Sequence, residues 1–327
     1  MDHQEYIDAN DGCCLAIKTS IPFNGHGPYQ NKAIILLHGF AGSSEYFCRN
    51  FDQLSDDQNL WVIAPDMRGH GDSGTSQGGY HVARLAMDLK NLITHLRNVF
   101  NAHKNTPGEE LQIVAVGCSI GAAILWTYVE LFTCADFAGL VFVDQAPLQD
   151  AVFFGQNHPD NWDATHHHKG CFNEATLQAA QRAWISQDRV NTCLALVNEC
   201  LGYRQNSPLK EIPAKDEDED FWHFCRIAQQ CDGRWLARLM ADHTRYDHRE
   251  AIERIDVPVL VMAGALSGCF PLDGMWETVT RIQASARDEE DAEVDVSVFE
   301  GAGHWLFYEN PNRFNLEIIE FVYKCTD

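Results

Sequence analysis

No run of about 18 apolar residues occurs anywhere in this chain of 327 residues, so a membrane-crossing helix is not expected. The opening Met1-Asp2-His3-Gln4-Glu5 lacks the basic start and apolar stretch of a secretory leader, and a cytoplasmic protein is the expectation. Positive charge is scarce, with 24 Lys and Arg against 47 Asp and Glu and a formal charge of −23. Nucleic acid and anionic lipid would repel such a chain, so neither is expected as a partner. Much of the acid sits in two runs, Asp216 to Asp220 and Asp288 to Asp295, which read as solvated loops.

Paired metal-ligand spacing is also missing. The 12 cysteines include no C-x-x-C, and Cys118, Cys134, Cys193 and Cys225 sit inside apolar runs, where they read as reduced, buried, small hydrophobes. The cluster His158, Asp160, Asp163, His166, His167 and His168 fits no ligand spacing and reads as a loop in water. No metal and no cofactor are expected. Internal repeats and low-complexity linkers are absent as well, and a 45% hydrophobic chain of this length can bury a large core.

What is present is an alternation of strands and helices. Glu5 to Ala9 and Cys14 to Ser20, joined through Asn10-Asp11-Gly12, predict an antiparallel hairpin. Buried strands are predicted at Ala33–Leu37, Leu60–Ala64, Leu111–Val116, Leu140–Val143, Val257–Ala263 and Val294–Phe299. Val82–Phe100, with Leu85, Leu89, Leu92, Ile93, Leu96 and Val99 near a 3.6-residue period, predicts a helix, as do Ile120–Phe132, Leu272–Ile282 and Arg313–Tyr323. Such alternation is the pattern of a mostly parallel sheet covered on both faces. It breaks after Leu140–Val143, where residues 147–256 show helical patterns only, at Glu174–Ile185, Arg189–Leu201, Asp220–Gln230 and Trp235–Ala241. The expectation is an α/β core of residues 1–146 and 257–327 bearing a helical cap of residues 147–256. The cap aromatics Phe153, Phe154, Trp162, Trp184, Phe221 and Trp222 suit both a pocket wall and the cap's own core.

Three segments carry chemistry. Gly117-Cys118-Ser119-Ile120-Gly121 lies between a predicted strand and a predicted helix, the setting in which a serine can be held out on a tight turn between small neighbours. Leu36-Leu37-His38-Gly39-Phe40 ends a strand, and Gly301-Ala302-Gly303-His304 follows the last one. With Asp66-Met67-Arg68-Gly69-His70-Gly71-Asp72-Ser73, these blocks stand in an order that resembles the α/β-hydrolase superfamily over nearly the whole chain.

The resemblance implies an eight-stranded, mostly parallel α/β-hydrolase sheet with helices on both faces. It further implies Ser119 as nucleophile, His304 as general base, and the backbone N–H groups of Phe40 and Ile120 as the oxyanion hole. His38 and His70 read as loop-structuring residues. The acid is less direct, because most of the superfamily places it three or four residues after the strand ending at Gly264, where Ser267 and Gly268 stand here. Asp144, at the end of the strand before the cap, resembles the placement in haloalkane dehalogenases and zearalenone-type lactonases and is the preferred acid. Asp273 is the alternative, with a competing reading as a helix-capping residue.

The expected function is hydrolysis of a small, largely apolar carboxylic ester or lactone. Carbon–carbon bond hydrolysis, perhydrolysis and lyase chemistry on the same triad remain open, as does a receptor-like binding protein that keeps the triad but uses it little. The oligomeric state is not legible.

Overall fold

The computed structural model describes residues 2–24, 29–57, 59–104, 106–148, 174–285 and 293–327. Its eight strands are β1 (His3–Asp8), β2 (Cys14–Thr19), β3 (Lys32–Leu37), β4 (Leu60–Pro65), β5 (Gln112–Cys118), β6 (Gly139–Val143), β7 (Val259–Gly264) and β8 (Val294–Phe299). They form one sheet in the order β1-β2-β4-β3-β5-β6-β7-β8. The hairpin β1–β2 is antiparallel and β2 joins β4 antiparallel, whereas every pair from β4 to β8 is parallel. Gly12 supplies the hairpin turn at φ +80°.

Alternation along the strands sends side chains to two different cores. In β3, Ala33, Ile35 and Leu37 face one cluster, and Ile34 and Leu36 face the other. The first is covered by α2 (Val82–His103) and α3 (Ile120–Phe132), following α1 (Phe51–Ser55) in the chain. The second is covered by α1 itself and, at the C-terminus, by the helix Pro311–Thr326, through Phe51, Leu54, Phe314, Ile318 and Phe321.

Between β6 and β7 the described residues hold helices and no strand: α4 (Glu174–Ile185), α5 (Val190–Cys200), α6 (Glu219–Gln230), α7 (Gly233–Arg245) and α8 (Arg249–Ile252). α8 belongs to the sheet's own core, since Ala251 and Ile252 pack with α3 and with α9 (Leu272–Ser285). The short α10 (Leu306–Glu309) and the long α11 (Pro311–Thr326) close the chain. The acidic run before α6 is more than a solvated loop. Asp218 caps α6 by accepting the Phe221 N–H at 2.9 Å, and Asp220 accepts the hydroxyls of Tyr203 and Tyr308, each at 2.7 Å. Among the described residues no helix is long and apolar enough to cross a membrane. None of the described cysteines forms a disulfide, and Cys118, Cys134, Cys193 and Cys225 are buried.

Candidate active site

Backbone strain is concentrated on one edge of the sheet. Of the four non-glycine residues with positive φ among those described, Ala41 (57°), Ser119 (55°) and Asp144 (47°) stand just past β3, β5 and β6. Such conformations cost about 1–3 kcal/mol each and persist only where the surroundings over-determine them.

Ser119 sits between β5 and α3 with φ +55° and ψ −125°. Its glycine neighbours are required by close approach. A Cβ on Gly117 would lie 2.5 Å from the Ala122 nitrogen, and one on Gly121 would lie 2.6 Å from the Leu37 carbonyl oxygen. The turn is pinned from both sides, by the Ser119 N–H on the Val143 carbonyl (2.9 Å) and the Ala122 N–H on the Ser119 carbonyl (2.8 Å). α3 therefore starts hard against the sheet and leaves the serine side chain at the strand edge.

His304 follows β8 and is buried. Its Nδ1 lies 2.6 Å from Oδ2 of Asp144, which is itself fully buried. Because a carboxylate only accepts, this contact assigns the proton to Nδ1 and leaves Nε2 with a lone pair. Asp144 is further saturated by the Gly264 N–H on Oδ1 at 2.9 Å and the Ser267 hydroxyl on Oδ2 at 2.7 Å. Asp273 is exposed in the first turn of α9, and no hydrogen bond joins it to His304. The structure thus brings Asp144, and not Asp273, to the histidine.

The loop after β3 lies over the serine, and a Cβ on Gly39 would stand 3.2 Å from that of Ser119. His38 ties this loop to the next one. Its Nδ1 donates to the Gly39 carbonyl at 2.8 Å and its Nε2 accepts the Met67 N–H at 3.0 Å, an arrangement only the neutral ring can make. Burial correspondingly pushes His38 down to about 4 and His70 down to about 3. The N–H groups of Phe40 and Ile120 take part in no hydrogen bond among the described residues, the usual state of a donor at a helix start or an open loop.

These residues open on a cavity of about 490 Å³, lined by Gly39, Phe40, Ser119, Phe270 and His304 from the sheet side. The helical insertion supplies the other wall from α4, α5 and α7, including Trp184, Leu196, Glu199, Met240 and His243. Trp184 meets Phe40 edge to face at 5.3 Å between ring centres. Phe221 is buried in the insertion's own packing with Trp222 beside it, whereas Phe153, Phe154, Trp162 and the cluster from His158 to His168 lie outside the described residues.

Sequence reasoning missed three contributors. Ser267, which in sequence marks only a missing carboxylate, donates to Asp144. Glu309 accepts the N–H groups of Gly202 (2.9 Å) and Gly303 (2.7 Å), so it fastens the loop after α5 to the loop bearing His304. Cys200, at the end of α5, lies beside Cys269 with sulfurs 3.7 Å apart, a pairing across 69 positions that no local spacing reveals. A faint signal for Glu309 is its place as an acid five residues after the histidine, closing the apolar and aromatic run Trp305-Leu306-Phe307-Tyr308.

The comparisons with known proteins agree with this architecture. The family described as alpha/beta hydrolase fold matches residues 32–311. A non-heme chloroperoxidase, CPO-A1 from Kitasatospora aureofaciens, is 22% identical over 304 residues, covering 90% of this chain and 94% of that protein. Among solved structures, a bromoperoxidase from Bacillus anthracis superposes with a TM-score of 0.75 at 17% identity, over 98% of this chain and 100% of the other. An esterase from Exiguobacterium antarcticum gives a TM-score of 0.74 at 18% identity over the same shares. The family match spans most of the chain and takes in the elbow, the loop after β3 and the histidine block, and so the chain belongs to the alpha/beta hydrolase fold family of enzymes.

Proposed function

We propose that this protein is a serine hydrolase that cleaves a small, largely apolar carboxylic ester or lactone through an acyl-enzyme, with Ser119, His304 and Asp144 as its triad. The single observation that supports this most is the 2.6 Å contact between His304 Nδ1 and a fully buried Asp144, on the same cavity as a serine held at φ +55°.

Ser119 Oγ attacks the carbonyl carbon while His304 Nε2 takes its proton, and Asp144 stabilises the imidazolium that results. Negative charge develops on the carbonyl oxygen, where the unspent N–H groups of Phe40 and Ile120 receive it. The carbonyl re-forms, the C–O bond to the leaving group breaks, and His304 returns the proton to the departing alkoxide. Water then repeats the sequence on the acyl-serine, its proton passing through His304 back to Ser119, and the carboxylic acid leaves. We assign the cap to residues 147–256, of which the described helices α4 to α7 form the wall and α8 packs on the core, and the catalytic core to residues 1–146 and 257–327. The largely apolar wall favours a small apolar substrate over a polymer.

Labelling by a fluorophosphonate, with turnover of short p-nitrophenyl esters, tests the reading. A protein that neither labels nor turns over is a binder and not a hydrolase. The likeness to proteins named chloroperoxidase and bromoperoxidase favours one second reading, in which hydrogen peroxide replaces water at the acyl-serine and yields a peracid. Peracid formation from acetate and peroxide, outpacing ester hydrolysis, would select it.

A further inference from the structure

The cavity holds a second constellation that hydrolysis does not use. The thiols of Cys200 and Cys269 and one ring nitrogen of His304 all lie within 4.8 Å of one another. They come from three elements: Cys200 from the end of α5, Cys269 from the loop between β7 and α9, and His304 from the loop after β8. Their placement is held by backbone bonds, since the Trp305 N–H donates to the Cys200 carbonyl at 3.1 Å and the Cys269 N–H donates to Ser267 Oγ at 3.3 Å.

The separation of the two sulfurs fits one edge of a tetrahedral thiolate site. Two sulfurs bound to zinc at about 2.3 Å stand about 3.8 Å apart across a tetrahedral edge. Here they stand 3.7 Å apart before any metal is considered. The histidine also has the outer partner that metal-bound histidines usually have, because Nδ1 is held by the Asp144 carboxylate and Nε2 is the nitrogen left to coordinate. Glu199 lines the same cavity one residue before Cys200. Two sulfurs and one imidazole select a soft or borderline ion over magnesium or calcium.

We propose that Cys200, Cys269 and His304 form an inhibitory binding site for a thiophilic divalent cation of the zinc class. Binding forms two metal–sulfur bonds and one metal–nitrogen bond and releases the two thiol protons to solvent. No electron moves. The metal occupies the nitrogen that would otherwise accept the serine proton, so the enzyme with metal bound is silent. The effect on turnover rests on His304 being the base; the binding does not.

The test uses the full chain, reduced with a phosphine, which binds zinc weakly. Co²⁺ serves as the spectroscopic probe and is expected to give sulfur-to-cobalt charge-transfer absorption in the near ultraviolet that Zn²⁺ abolishes by displacement. In parallel, micromolar Zn²⁺ is expected to suppress p-nitrophenyl acetate turnover reversibly by EDTA, while millimolar Mg²⁺ does not. Cys200→Ser and Cys269→Ser should each raise the zinc concentration for half-inhibition by at least about tenfold, the range seen even for outer-shell changes. A cobalt spectrum of the parent protein without sulfur charge transfer overturns the site. So does zinc inhibition that is the same in both serine variants as in the parent. Sulfur charge transfer with undiminished turnover would confine the metal to the two thiols and overturn its inhibitory role, whereas loss of fluorophosphonate labelling and turnover in the metal-free parent would overturn His304 as the base.

Discussion

The hydroxyl of Ser267 donates to Oδ2 of Asp144 at 2.7 Å, sharing that oxygen with His304 Nδ1 at 2.6 Å. The position where most of the superfamily is expected to place its acid thus holds a residue that hydrogen-bonds the proposed acid, which arrives from the end of another strand. Asp144 directly follows β6 and Ser267 lies three residues past β7, and the two meet because these neighbouring parallel strands run side by side with Val143 opposite Met262.

This relationship predicts that the acid can be moved. Asp144→Asn should lower kcat by about ten-thousand-fold, since the amide can no longer hold the Nδ1–H tautomer or stabilise the imidazolium. Adding Ser267→Asp to that variant places a carboxylate at the expected family position and should recover at least about tenfold of the loss, while Ser267→Ala alone should cost about tenfold through one lost hydrogen bond to a charged group. Steady-state kinetics on a p-nitrophenyl ester with circular dichroism as a fold check would decide it. If Asp144→Asn keeps full activity, the assignment of the acid is wrong.

The strain at Ser119 gives a prediction in two directions at once. Ser119→Ala removes the proposed nucleophile and should cost on the order of a million-fold in kcat while leaving Tm near that of the parent. Ser119→Gly should be equally inactive but more stable, because glycine adopts φ +55° and ψ −125° without the penalty of about 1 kcal/mol or more that a side chain incurs there. Equal melting temperatures for the two variants would show that the turn is not strained.

The sheet and its helices were legible because their signals are local. Continuous apolar runs marked β3 to β7, and a 3.6-residue period marked α2, so the eight-stranded architecture could be anticipated to within a few residues at each boundary. The elbow was legible for a stronger reason: Gly117 and Gly121 are demanded by contacts of 2.5–2.6 Å that no side chain could share. What the sequence could not display are meetings between distant segments. Asp144 and Ser267 are 123 positions apart, Cys200 and Cys269 are 69 apart, and Gly202 and Glu309 are 107 apart. Each is created by the sheet order and by the way the loop after α5 lands on the histidine loop, and neither periodicity nor motif spacing encodes such landings.

Buried neutral histidines predict a loss of stability in mild acid. Burial holds His38 at about 4 and His70, His243 and His248 at about 3, against an ordinary value of 6.5. Between 6.5 and those values the unfolded chain binds protons that the folded protein does not, so stability rises with pH across the window and is lost as pH falls below 6.5. Each such histidine contributes a slope approaching about 1.4 kcal/mol per pH unit. Urea unfolding at pH 7.5, 6.5 and 5.5 should give stabilities that fall by about 1 kcal/mol between the first two and by about 4 kcal/mol more between the second and third. A stability unchanged at pH 5.5 would mean that these rings find proton acceptors on protonation.

The cavity wall supplies the last prediction, which concerns specificity. Trp184 projects from α4 of the helical insertion, is 5% exposed, and meets the ring of Phe40 beside the proposed oxyanion hole. Its indole therefore bounds the space available to an acyl chain extending from a carbonyl carbon held at Ser119 Oγ. Truncation to alanine removes that boundary and also costs about 3–5 kcal/mol of packing if the site cannot collapse, so stability must be followed beside kinetics. In Trp184→Ala, kcat/KM for p-nitrophenyl hexanoate relative to acetate should rise by about tenfold, because each added methylene that finds apolar cover is worth about 0.8 kcal/mol, and two well-covered methylenes already give more than that ratio. The comparison within one variant cancels any general loss from a loosened insertion, since both esters suffer it equally. An unchanged hexanoate-to-acetate ratio in a folded Trp184→Ala protein would place the acyl chain elsewhere and leave the indole as part of the insertion's own packing.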